Sequence, residues 1–511
     1  MISKVFTASL VGIDAVIVEV EVDLARGLPS FSVVGLADVA VKESKERVRS
    51  AIKNSAQKFP PHRITVNLAP ADIRKEGAAF DLPIAVGILS RQGAIPAESL
   101  GEVMVVGELS LNGQTKPVRG ALAMALQAQG AGFKGILLPA ENALEAAMVE
   151  GIDVYPVSSL VQALSFLNGE MVITPEVSRL EDLLVTRGAD SLDFADVRGQ
   201  EHAKRALEVA SAGGHNILMV GPPGAGKTML SRRLPQILPG LTLQECLDCT
   251  KIYSVAGQLD HGERIIASRP FRAPHHTVSD AGIIGGGTYP KPGEVSLAHH
   301  GVLFLDEFPE FRRNVLEALR QPLEDGAVTI SRAAASLTYP ARFMLVASMN
   351  PCPCGYAGDV YHVCRCRPDQ IERYRNKISG PLLDRIDIQI EIPALPYHEL
   401  ASPMAGENSA AIKERVNGAR EIQGRRLGVE GIACNAQMNT GMIDRYCRLD
   451  DEGTNLLQEA MAGLGFSARA YHRILKVSRT IADIEGVEEI AVEHLAEALQ
   501  YRCLDKVPNE P

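Results

Sequence analysis

One stretch, NILMVGPPGAGKTML, constrains the fold of this chain more than any other. Gly221, Pro222, Pro223, Gly224, Ala225, Gly226, Lys227 and Thr228 match the full pattern G-x-x-x-x-G-K-[ST], between an apolar strand (Ile217–Val220) and a helix-forming run. Glycines let successive backbone N–H groups turn toward phosphate oxygens at the positive end of the following helix. Lys227 is placed to reach the β- and γ-phosphates of ATP, and the Thr228 hydroxyl to bind Mg²⁺. An ordinary glycine turn needs neither the strand before it nor the lysine within it.

A nucleotide hydrolase also needs a metal-binding carboxylate and a group that activates water. GVLFLDEF supplies both. Val302–Leu305 reads as a buried strand, Asp306 at its end would hold Mg²⁺, and Glu307 would orient the attacking water. A third apolar strand, ARFMLVASMN, ends at Asn350, whose amide can position the water or can simply be a turn residue before Pro351.

At 511 residues the chain is too long for one ordinary core, and its 46% hydrophobic and 22% charged balance is that of a globular protein. No apolar run approaches the 18 or so residues that span a bilayer, and the N-terminus lacks a leader pattern, so a cytoplasmic protein without membrane contact is expected. The net charge of −10 argues against coating duplex DNA by bulk charge. It leaves open a ring whose basic residues are confined to a pore.

Residues 1–170 read as an α+β domain and 171–190 as a connector. Residues 191–395 read as a P-loop α/β core, and 396–511 as a helical lid.

These residues resemble the AAA+ ATPases, and over essentially its whole length the chain resembles the ComM/YifB family of Mg-chelatase-like proteins. The resemblance implies that Asn350 is a sensor residue. It implies that Arg385, in SGPLLDRIDI, is an arginine finger serving a neighbouring subunit. Arg469, in SARAYHRIL, would be a second sensor within its own subunit. With Lys227 and Glu307 these would be the catalytic set. A ring follows, a hexamer in the presence of ATP, moving along single-stranded and branched DNA and driving branch migration in natural transformation, alongside other recombination proteins. A Mg-chelatase-type motor acting on a protein or porphyrin partner and an ATP-gated DNA scaffold are the alternatives.

In the resembled branch, a helix insertion (about 270–300) projects toward the pore and GAVTISRAAASLTYPARF is the hairpin before the first sensor, so Lys291 and Arg332 are candidate DNA contacts or, equally, solvated loop charges. His275–His276 and His299–His300 could bind a metal or simply pack within the insertion. The N-terminal domain resembles the proteolytic domain of Lon. Its nucleophile position falls on Ala79, and Leu122 and Met124 occupy the lysine region, so no Ser-Lys dyad is expected.

Four of the nine cysteines cluster: Cys352-Pro-Cys354 and Cys364-Arg-Cys366, at 352–366. Four thiolates suit tetrahedral Zn²⁺ in a small structural knuckle. Free or redox-sensitive thiols are the other reading. The adjoining Arg365, Arg367, Arg373 and Arg375 could then be presented to DNA.

Overall fold

Period-two patterning decides the first sheet. β1 (Ser3–Val11), β2 (Asp14–Ala25), β3 (Ser30–Val34) and β4 (Arg63–Ala69) pair in the order β1-β2-β4-β3. Along β2, Val18, Val20 and Val22 are buried while Glu19 and Glu21 face the other way, where Lys4 pairs with both. The computed structural model describes residues 2–75, 77–177, 192–259, 265–287, 290–332, 335–396, 406–464 and 466–504. Most of the expected connector at 171–190, and parts of the lid at 396–511, lie outside these residues.

The chain divides into two compact units: Met1–Gly188 with Leu243–Ala267, and Ala189–Thr242 with Ser268–Pro511. In the first unit, β5 (Val103–Val105), β8 (Gly135–Pro139) and β9 (Asp153–Val157) form a parallel sheet in the order β5-β8-β9. A short ribbon joins β6 (Glu108–Leu109) to β7 (Thr115–Lys116). Ala79, Leu122 and Met124 meet in one apolar cluster behind these strands.

Leu243–Ala267, expected inside the ATPase stretch 191–395, belongs instead to this first unit. Its helix Leu243–Ala256 buries Cys246, Cys249, Ile252 and Ser254, and Leu247 packs against the cluster that holds Leu122. The Ser254 hydroxyl accepts the Gly120 amide at 2.8 Å. An apolar helix face predicts burial but does not say against which partner.

In the second unit, short runs buried on both faces make a parallel sheet. β10 (Ile217–Val220), β11 (Phe271–Arg272), β14 (Val302–Leu305), β17 (Met344–Met349) and β18 (Ile388–Glu391) lie in the order β11-β14-β17-β10-β18. Because β11 is a strand of this sheet, the excursion expected at about 270–300 begins only after Arg272. It carries the ribbon of β12 (Gly285–Gly286) and β13 (Lys291–Pro292). A hairpin of β15 (Ala327–Arg332) and β16 (Ala335–Pro340) precedes β17. The helices Ser409–Leu427, Ala468–Ile484 and Val492–Gln500 share one apolar core with the sheet. Among the described residues no helix is long and apolar enough to cross a membrane.

Asp387 ties this helical region to the sheet. It is buried, pairs with Arg473, accepts the Asn216 amide at 3.0 Å and lies 3.7 Å from His215 Nδ1. Burial pushes its carboxyl up, but Arg473 and His215 outweigh that and hold it well below the usual carboxylate range. Asp387→Asn is expected to lower the unfolding free energy of this unit by roughly 3–5 kcal/mol, since Arg473 is left without its buried partner. A depressed folded pKa gives stability that is complete above about pH 4 and fades as pH falls toward the folded value. The gap between wild type and variant in urea midpoint should therefore narrow on acidification. An equal midpoint at neutral pH would contradict this account.

Candidate active site

Parallel strands of this sheet release their C-terminal ends on one edge, where ligands bind in open α/β sheets. The motif residues meet there because β10, β14 and β17 are neighbours. Val220 pairs with Met349, and Leu305 with Ala347. The phosphate loop is anchored at its start: the Gly221 amide donates to Met349 O at 3.2 Å. A Cβ on Gly221 would lie 2.3 Å from Ile392 O, so only glycine fits. Gly224 and Gly226 have φ of +82° and +89°, with open space on the side a Cβ would occupy. The helix Lys227–Ile237 starts without a side-chain cap, leaving its first N–H groups directed at that space.

The Lys227 ammonium is buried, and donates to the carbonyls of Gly221 (2.6 Å) and Pro222 (2.9 Å) and to Asn350 Oδ1 (3.2 Å). These partners are neutral. Burial lowers its pKa, and the charge of Asp306 opposes the shift. A buried cation beside an uncapped helix start and an open glycine cradle fits a polyphosphate. The Thr228 hydroxyl donates to Asp306 Oδ2 at 2.7 Å, and Asp306 Oδ1 accepts from Ser348 and from the Glu307 amide. This hard-oxygen pair fits Mg²⁺.

Glu307 has φ +54°, a left-handed conformation just past the end of the strand, and its side chain is half exposed. His276 Nδ1 lies 3.1 Å from its carboxylate. The His275–His276 pair was expected to pack within the excursion or to bind a metal; the structure gives His276 to Glu307 instead. The His299 ring is buried and accepts the Arg342 amide at 3.0 Å.

Two expected residues stand elsewhere. β18 runs parallel to β10 with Ile217 opposite Ile388 and Val220 opposite Glu391. The phosphate loop leaves the far end of β10, whereas Arg385 precedes the near end of β18, so their backbones are separated by about 10 Å or more of strand. Arg385 donates to Pro381 O at 2.7 Å and pairs with Glu324. Burial, then the charges of Arg320, Arg469 and Arg473, lowers its pKa. Arg469, expected to act within its own subunit, lies 3.7 Å from Asp384, on the Arg385 side.

Lys291 and Arg332 are both exposed. Their hairpins are fastened together: the Tyr339 hydroxyl donates to Pro290 O at 2.7 Å, and the Ile330 side chain fills the space beside Gly285. Lys291 pairs across the ribbon with Gly286, and the Arg332 guanidinium approaches the same glycine.

The four cysteines converge. Cys352, Cys354 and Cys364 have sulfurs 3.4, 3.6 and 3.7 Å apart, and all four sulfurs lie within 4.8 Å of one another. Four thiolates around Zn²⁺ at about 2.3 Å give tetrahedral edges of about 3.8 Å. Backbone amides of Ala357 and Cys366 donate to Cys352 and Cys364. Amides of Arg365 and Tyr356 lower the Cys354 thiol, whereas at Cys364 and Cys366 a backbone bond that lowers the thiol is outweighed by burial and the neighbouring thiols, which raise it. The donor set therefore fits zinc. Arg365, Arg367, Arg373 and Arg375 are exposed, with Arg373 paired to Asp369.

Comparison with known proteins agrees with the architecture. Residues 193–400 match the family described as magnesium chelatase, subunit ChlI. Residues 20–142 match subunit ChlI of Mg-chelatase, and 406–502 its C-terminal region. The chain is 47% identical to competence protein ComM of Haemophilus influenzae over 503 residues, 98% of this chain and 97% of the relative. It is 43% identical to YifB of Escherichia coli over 512 residues, 99% and 98% of the two chains. A shorter likeness, 26% over 173 residues, links 31% of the chain to 30% of Lon protease 2 of Bacillus subtilis. With matches that run almost the full length of both chains, the protein belongs to the ComM/YifB family of magnesium-chelatase-like AAA+ ATPases.

Proposed function

We propose that this protein is an ATP-driven, ring-forming DNA motor that promotes branch migration of recombination intermediates in natural transformation. One observation carries the ring: the side chains that hydrolysis requires stand at opposite ends of one parallel sheet. Lys227, Thr228, Asp306, Glu307 and Asn350 are at one end and Arg385 at the other, so a complete site needs a neighbour's arginine. Arg469, beside Asp384, would serve the neighbour's nucleotide with it. A heterologous interface of this kind closes into a ring, here read as a hexamer. The competence assignment follows the full-length likeness to ComM.

In the assembled site, Lys227 and the phosphate-loop amides bind and orient ATP. Thr228 and Asp306 would hold Mg²⁺, which when bound would supply neutralisation of charge on the phosphate oxygens. Glu307 orients the water, and Arg385 from the neighbour stabilises the transferring group. Release of Glu307 from His276 and of Arg385 from Glu324 would accompany assembly. Zn²⁺ on Cys352, Cys354, Cys364 and Cys366 would hold the knuckle as a structural site. The first unit is read as a Lon-like domain without a dyad, since Ala79, Leu122 and Met124 make its corresponding region apolar. A cytoplasmic location fits this work.

Single-stranded and branched DNA would pass the fastened hairpins. Replacing Lys291 and Arg332 by alanine is expected to weaken single-strand binding equally for all sequences. The salt slope should fall by about 0.7 for each phosphate that is no longer neutralised. An unchanged slope in fluorescence-anisotropy titrations would remove both residues from the DNA path. The function itself is tested with a fluorescent four-way junction: wild type plus ATP should migrate the branch, and Glu307→Gln should not. Wild type that hydrolyses ATP yet leaves the junction in place would contradict the proposal.

A further inference from the structure

The cysteine knuckle is not set apart from the nucleotide site. It leaves β17 immediately after Asn350, whose amide oxygen holds Lys227. Cys352, at the base of the knuckle, is fully buried. Just beyond it the chain turns through Pro353 and Cys354, where the Gly355 amide donates to Cys352 O at 3.0 Å. Gly355 has φ +91°, and a Cβ there would lie 2.7 Å from Cδ and 2.8 Å from Cγ of Pro223. The knuckle backbone therefore rests on the phosphate loop with no room between them. On its exit side, the helix Pro368–Arg375 buries Tyr374, whose hydroxyl burial pushes up while the nearby Asn350 backbone opposes the shift. Lys377 pairs with Glu310, just past Glu307.

We propose that the four-cysteine metal site forms a wall of the nucleotide site, so that metal occupancy sets nucleotide affinity. The inference rests on the zinc and ATP readings above and adds their coupling. Four thiolates fixed by one ion hold Gly355 against Pro223 and Asn350 beside Lys227. Without the ion the thiols have no common partner, the loop from Cys352 to Cys366 loosens, and the phosphate loop loses its backing. Coupling is reciprocal, so bound nucleotide tightens metal binding by the same factor at equilibrium.

The experiment uses the full chain. Metal content is measured by elemental analysis, and binding by titration with an ATP analogue carrying its own fluorophore, since the chain has no tryptophan. Expected are one zinc per chain and a nucleotide Kd that rises about tenfold or more on metal removal, within the usual range of coupling between two sites. Zinc addition restores the affinity, and saturating nucleotide lowers the zinc transferred to a chelating dye. Gly355→Ala keeps the metal but binds nucleotide more weakly, because its Cβ meets the Pro223 ring. This second variant separates the coupling from a general failure to fold.

Absence of metal in protein grown with zinc would overturn the zinc reading and the inference together. Metal without nucleotide binding would overturn the ATP reading and the inference together. Metal and nucleotide both bound, with affinity indifferent to metal removal and to Gly355→Ala, would overturn the inference alone.

Discussion

Replacing Arg385 by alanine is expected to slow ATP hydrolysis by about three to five orders of magnitude, the usual worth of an arginine that meets a transferring phosphoryl group. Nucleotide affinity should change little, because the phosphate loop lies at the other end of β10 and β18. A loss of stability does not explain such an effect. The Arg385 partner Glu324 is more than half exposed, so it regains water when the arginine is removed. Mixing separates a shared site from a self-contained one. Lys227→Ala subunits lack a working phosphate loop but keep Arg385; Arg385→Ala subunits have the reverse defect. In a randomly mixed ring, roughly a quarter of the interfaces join an intact loop to an intact arginine. Two inactive proteins should thus recover measurable hydrolysis when combined. If they stay inactive after mixed rings are shown to form, Arg385 does not act across an interface.

Glu307→Gln is expected to reduce hydrolysis by about two to four orders of magnitude with ATP binding intact. The amide keeps the shape of the carboxylate and can still meet His276, 3.1 Å away in the wild type, but it cannot draw a proton from water. Lys227, Thr228 and Asp306 are untouched, so the variant should accumulate as ATP-bound rings. Single-turnover hydrolysis beside analogue binding checks both halves. A rate within about tenfold of wild type would place the water-activating group elsewhere.

The phosphate loop, the Asp306–Glu307 pair and Asn350 were legible because each motif carries its chemistry within a few consecutive residues. Strand order then only had to bring three local signals to one sheet edge. The cysteine pairs were legible for the same reason, since both lie within 352–366. What sequence patterning could not reach was contact between distant segments. Nothing in HTVSD marks His276 as a partner of Glu307, as any exposed histidine would read alike. Helix Leu243–Ala256 shows an apolar face, but the partner that covers it lies in the first unit, more than a hundred residues upstream. Gly355 looks like a turn glycine, and only the approach of Pro223 shows why a side chain is excluded. The resemblance named Arg385 and Arg469, yet the distance of Arg385 from the phosphate loop follows only from the register of β10 and β18, and the place of Arg469 only from its approach to Asp384.

The most direct test of the central claim is the rate of ATP hydrolysis by the purified protein, alone and with single-stranded or four-way-junction DNA, with Glu307→Gln as the control. Strong stimulation by DNA, abolished by the substitution, is expected. Robust hydrolysis indifferent to every DNA tested would contradict it, and would turn the search toward a protein or porphyrin partner.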